Sequence, residues 1–132
     1  MIATKSSKTA LLFAGQGSQY AGMGDGYGFP YLEKRVIDAM KTGEGLNETI
    51  NTQPAIFAVG LEMAKKLNIK PDYVAGFSVG EIPALVYAGV LSLDDGVKLI
   101  NVRANTMQDA CNDVGGGVAG AGVRKGGLKT GA

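Results

Sequence analysis

Residues 73–81 read YVAGFSVGE: a short apolar run, a glycine, a serine in a G-x-S-x-G frame, then a glutamate. Tyr73, Val74 and Ala75 lie between Pro71-Asp72 and Gly76, which predicts a short strand. The apolar stretch beyond Gly80 predicts a helix over about 79–88 that closes at Gly89. A strand that turns directly into a helix is the unit of layered α/β folds with a parallel sheet. The serine at the turn has two readings. Ser78 and Glu81 fit the S-x-x-E capping box, in which hydroxyl and carboxylate serve the free N–H groups of a helix start. Gly76 and Gly80 add something a cap does not need. They let the chain turn sharply and lift the Ser78 hydroxyl over a helix N-terminus, where the Val79 N–H and the helix dipole favour an oxyanion.

Working outward, residues 9–14 (TALLFA) predict a buried strand, and GQGSQ (15–19) is the loop that leaves it. Gly15-x-Gly17 suggests a dinucleotide loop, but the third glycine of that fingerprint falls on Tyr20, and no G-K-S/T follows. The alternatives are a tight glycine turn or a loop whose backbone N–H comes near Ser78, since loops at the carboxyl ends of neighbouring strands converge on one crevice. Leu32, Val36, Ile37 and Met40 predict a short helix over 31–41. Thr52-Gln53-Pro54 supplies a cap and an early proline for a helix to about Leu67, with Ile56, Gly60, Met63 and Leu67 on one stripe. Ser92, followed by Asp94 and Asp95, starts another helix, with Leu93, Val97, Ile100, Ala104, Met107 and Cys111 facing the core. Val118 to Val123 is a weak strand candidate.

Composition narrows the function. The 132 residues carry net charge +1, which argues against nucleic acid or an acidic membrane as partner. The longest apolar run is too short to span a bilayer. One cysteine makes no internal disulfide, and without histidine there is no metal cluster, so no metal is expected and the cytoplasm is the default compartment. Of 21 glycines, four alternate in GMGDGYG (22–28) and eight fall in residues 115–132, so both stretches read as loop or weakly ordered chain.

Four stretches in order, LLFAGQGSQYAGMG (11–24), LNETINTQPAIFA (46–58), VAGFSVGEIPALVYAGVLS (74–92) and VRANTMQDA (102–110), resemble the malonyl-CoA:acyl carrier protein transacylases and related acyltransferase domains of fatty-acid and polyketide synthases. The resemblance implies a single, incomplete α/β domain over 1–132: a small parallel sheet with flanking helices, part of the large α/β-hydrolase-like subdomain of that fold. It implies a malonyl transfer from coenzyme A to the pantetheine thiol of acyl carrier protein through an acyl-serine on Ser78. The backbone N–H groups of Gln16 and Val79 would form the oxyanion hole, and Arg103 would pair with the malonyl carboxylate through a guanidinium fork. Without the resemblance, Arg103 reads as a solvated helix arginine. The implied partners are malonyl-CoA, as a thioester substrate with no cofactor, and acyl carrier protein. No nucleic acid and no membrane are expected, and the chain is expected to be a monomer in fatty-acid biosynthesis.

Three departures qualify that expectation. The family base is a histidine, and this chain has none, so it is expected to be poorly active or inactive alone. Family members are more than twice this length. Phe77 replaces the histidine common before the nucleophile. Residues 25–45 are also shorter than in the family, which predicts a truncated or gapped chain with breaks near 25–29, 41–46 and 115–132. The competing readings are a serine hydrolase of simple esters, which needs no Arg103, and a non-catalytic module that binds coenzyme A or acyl carrier protein.

Overall fold

The computed structural model describes residues 7–114. The expected weak strand at Val118–Val123 and the glycine-rich 115–132 lie outside the described residues. Two strands, β1 (Ala10–Phe13) and β2 (Tyr73–Gly76), pair in parallel with Phe13 opposite Gly76. Between them run α1 (Lys34–Thr42) and α2 (Thr49–Leu67). After β2 come a 3-10 turn (Ser78–Gly80), α3 (Glu81–Tyr87) and α4 (Leu93–Val114). This is the α/β arrangement of the sequence reading, a small parallel sheet with flanking helices. No helix among the described residues is long and apolar enough to cross a membrane.

The strands are shorter on buried surface than expected. Leu11, Phe13 and Val74 face the helices, and Phe13 packs beside Gly60 of α2 and against the Tyr87 ring of α3 at 5.9 Å. Residues on the other face, Leu12 (73% exposed), Tyr73 and Phe77, are open to solvent. The alternation of a strand covered on one side therefore replaces the fully buried β1 that TALLFA suggested, because among the described residues helices lie on one face only.

The start of α2 corrects a second expectation. Thr52 does not cap this helix; it lies inside the first turns and donates its hydroxyl to the Leu46 and Glu48 carbonyls. The helix begins at Thr49 because its early N–H groups find other acceptors. Those of Asn51 and Thr52 reach the Glu48 carbonyl, and that of Ile50 reaches Gln108 Oε1 on α4 at 3.3 Å. Pro54 then sits in the helix interior, where it cannot donate to the Ile50 carbonyl four residues earlier. Arg35 of α1 supplies the missing donor, with Nη1 3.0 Å from that oxygen and a second bond to Asn51 Oδ1. Downstream, Phe57, Leu61 and Ala64 are buried with Ile56, whereas Met63 and Leu67, expected on the same stripe as Ile56, are exposed.

The remaining core follows the sequence. Ser92 Oγ accepts from the Asp95 N–H at 3.1 Å and opens α4, whose Ile100 and Ala104 are buried against α2. Tyr31 lies edge-on to Phe57 and donates to Glu62 Oε1. Burial pushes its phenol pKa well above the usual range, and the charge of Glu62 and the bond to it act in the same direction. The glycine-rich 22–28 is ordered by successive turns, with Met23 and Phe29 in the core and the Gly22 N–H on the Met40 carbonyl at 2.7 Å. Turns at 25–29 and 41–46 are closed by backbone hydrogen bonds.

Removing the Arg35 donor while keeping its apolar stem, as Arg35→Met, is expected to cost roughly 2 kcal/mol in urea unfolding. In a Pro54→Ala background, where an N–H again reaches the Ile50 carbonyl, the same substitution is expected to cost about 1 kcal/mol less. Equal costs in the two backgrounds would show that Arg35 does not serve that carbonyl.

Candidate active site

Parallel strands in register deliver their following loops to the same end of the sheet. Gln16 and Val79 each lie three residues beyond the last paired positions, Phe13 and Gly76. The two loops touch. A Cβ placed on Gly80 would lie 2.4 Å from the Phe13 carbonyl oxygen, and one on Gly15 would lie 2.7 Å from the Phe77 ring. Within the second loop, a Cβ on Gly76 would lie 2.0 Å from the Gly80 carbonyl oxygen. No side chain fits at 76 or 80, so the glycines on either side of the serine are required by contact with backbone.

That tight passage forces Ser78 into the left-handed region, at φ +53. Among the described residues only Asn68 and Ser78 are non-glycine positions with positive φ. Asn68 ends α2, a position that tolerates it, whereas a serine there carries strain of about 1–2 kcal/mol. The capping-box reading does not hold: the 3-10 turn has no side-chain cap, and Ser78 Oγ is occupied elsewhere. The hydroxyl is exposed, and Arg103 Nη2 donates to it at 3.2 Å from α4. Phe77, beside it, is also exposed.

The first loop is held by its own side chains. Ser18 Oγ donates to the Gly15 carbonyl, the Gly17 N–H donates to Gln19 Oε1, and Gln19 Nε2 reaches Asn47. Gln16 Nε2 donates to Thr49 Oγ1 at 2.9 Å, anchoring the loop to the start of α2. The backbone N–H groups of Gln16 and Val79 donate to no protein acceptor among the described residues. They are the pair expected to serve an oxyanion, and each lies on a loop that the sheet register brings to the serine.

Arg103 is not the solvated helix arginine of the plain reading. It is half-buried, with Nη1 on Gln53 Oε1 at 2.6 Å and Nη2 on Ser78. Gln53, fully buried in α2, was read from sequence only as part of a helix start. The clue was in the same motif: a long amide in a helix that is otherwise apolar at 55–59 must find partners. A cation held 3.2 Å from a strained, exposed hydroxyl suits attack on a carbonyl carbon by an oxygen whose negative charge the site stabilises.

Residues 30–126 match the family described as "Acyl transferase domain". The human mitochondrial malonyl-CoA-acyl carrier protein transacylase is 37% identical over 83% of this chain and 34% of its own length. The Bacillus subtilis malonyl CoA-acyl carrier protein transacylase is 39% identical over 76% of this chain and 30% of its own. Among solved structures, the malonyl-CoA:ACP transacylase of Synechocystis sp. PCC 6803 superposes with a TM-score of 0.66 at 34% identity, covering 79% of this chain and 41% of that one. The chain spans about a third of the length of the curated relatives it matches.

The strain at Ser78 predicts an order of stabilities. Ser78→Gly is expected to be more stable than Ser78→Ala by roughly 0.5–1 kcal/mol in urea unfolding, after the added chain entropy of glycine is counted. A more stable alanine variant would mean that the turn carries no left-handed residue.

Proposed function

The chain belongs to the acyl transferase domain family, and from that premise we propose that it presents the nucleophile and carboxylate clamp of a malonyl-CoA:acyl carrier protein transacylase of fatty-acid synthesis. The observation that carries this reading is the Arg103–Ser78 hydrogen bond. A simple ester hydrolase has no use for a guanidinium at the nucleophile, whereas a dicarboxylic acyl group does.

In the first half-reaction, Ser78 Oγ attacks the thioester carbonyl of malonyl-CoA. The Gln16 and Val79 N–H groups stabilise the oxyanion, the carbon–sulfur bond breaks, and coenzyme A leaves as the thiol. Arg103 turns its fork from the serine to the acyl carboxylate. In the second, the pantetheine thiol of acyl carrier protein attacks the acyl-serine and the serine recovers its proton. No cofactor enters this chemistry. The serine proton needs a base, and the 132 residues contain no histidine. Arg103 lowers the cost of negative charge on Oγ but keeps its own proton, so it cannot replace one. Slow acylation by these residues follows, with the general-base contribution missing.

A second reading is a module that binds the thioester without reacting. A cytoplasmic setting is part of the same proposal, and cell fractionation decides between it and the mitochondrial setting in the human relative's name.

Incubation with malonyl-CoA is expected to give an intact-mass malonyl adduct that is lost in Ser78→Ala. Added imidazole is expected to raise its rate at least tenfold by supplying the base. Acetyl-CoA is expected to react more slowly, and Arg103→Ala to make the two thioesters equal. Binding of malonyl-CoA with no adduct, even with imidazole, supports the binding module instead.

A further inference from the structure

Gln16 carries the oxyanion donor of the first loop, yet its own backbone does not hold it. Its neighbours are fixed: the Gly15 carbonyl accepts from the Ser18 N–H at 3.3 Å and from Ser18 Oγ at 2.8 Å, and the Gly17 N–H donates to Gln19 Oε1 at 2.8 Å. Gln16 makes no backbone hydrogen bond among the described residues. It also lies between two glycines, so the peptides on either side of it have wide conformational freedom. The bond that holds it runs through the side chain, from Nε2 to Thr49 Oγ1 at 2.9 Å, across 33 residues of chain.

Thr49 is a firm anchor. It is the first residue of α2 and only 5% exposed, and its hydroxyl has no other partner among the described residues. A buried hydroxyl that loses its partner is costly, so this bond persists. A second tether, Gln19 Nε2 to Asn47 Oδ1 at 2.9 Å, is exposed, and water competes for it. The helix start beneath Thr49 is itself tied down, by the Asn51 and Thr52 N–H groups on the Glu48 carbonyl and by the Ile50 N–H on Gln108 of α4. One hydrogen bond thus carries the rigidity of the packed helices into a loop of small and polar residues.

We propose that Thr49 is a positioning residue for acyl transfer: acting through the Gln16 side chain, it keeps the residue 16 amide in place for the oxyanion. This inference rests on the acyl-transfer reading of the site. A threonine in that role affects the chemical step and leaves thioester binding alone. It does so alike for every acyl group, because the oxyanion is common to all of them.

The test compares the wild-type chain with Thr49→Val, which keeps the shape and removes the hydroxyl, and with Thr49→Ser, which restores it. Formation of the Ser78 adduct is followed with imidazole present over a range of malonyl-CoA and acetyl-CoA concentrations. Outright loss of an oxyanion donor costs roughly a hundred- to a thousandfold, and a donor that is loosened but kept costs less. In Thr49→Val the maximal rate is therefore expected to fall about tenfold with both thioesters, at an unchanged half-saturating concentration, and Thr49→Ser is expected to recover most of it. The second readout needs no reaction: nitrogen-15 relaxation of the Gln16 backbone amide. Its order parameter is expected to drop from about 0.85 to below about 0.6 in Thr49→Val. Gln16→Met breaks the same bond from the loop side and is expected to give the same drop at residue 16, which keeps the test decisive if Thr49→Val does not fold. An unchanged maximal rate, a loss confined to malonyl-CoA, no recovery in Thr49→Ser, or a residue 16 amide that stays rigid overturns the inference. Failure of wild type to form any adduct tells against the acyl-transfer reading, and the relaxation measurement then decides whether Thr49 holds residue 16.

Discussion

Backbone passes backbone at Gly76 and Gly80 with no room for a side chain on either, and the site depends on that crowding. The close approach requires the sharp departure from β2, and the sharp departure holds Ser78 at positive φ. A serine in a relaxed cap would turn its oxygen back onto the helix N–H groups and use them up. The strained one points outward, where Arg103 meets it. Strain of about 1–2 kcal/mol at one residue thus keeps the hydroxyl from being consumed by the start of the helix that follows.

The helices act on this turn from below. α2 and α4 pack together through Ile100 and Ala104, and the same pairing joins Gln53 to Arg103 and Met107, and Ile50 to Gln108. Both polar bridges lie at one end of the apolar seam. The position of the guanidinium is therefore inherited from helix packing, not from the loop beside it. The proline that interrupts α2 belongs to the same arrangement, since Arg35 of α1 supplies the donor Pro54 lacks and ties the third helix to this end of the molecule.

Local pattern carried much of the fold. Glycines at 76 and 80, the strand before them and the Ser92 cap are short-range signals, and each has its expected place. The readings that changed involve partners distant in sequence. Thr52 looked like a cap because the acceptors that start α2 a turn earlier, Glu48 and Gln108, include one 58 residues away. TALLFA looked fully buried because composition cannot say whether a second layer of helices covers a strand. Arg103 looked solvated on its own helix and gained meaning only through resemblance, while its bond to Gln53 crosses 50 residues and has no motif. Ser78 itself was legible in chemistry but divided between cap and nucleophile, and the positive φ at that residue removes the cap.

The sheet has two strands, and an isolated pair of that kind is marginal in water. Its persistence here cannot come from ladder bonds and must come from the covered face, where Phe13 sits between α2 and α3 and Val79 is buried beneath the turn. The opposite face contributes little, because Leu12, Tyr73 and Phe77 keep most of their surface in water. The fold is thus a helical core carrying a short sheet, and the sheet's task is registration. By pairing Phe13 with Gly76 it sets where the two loops begin.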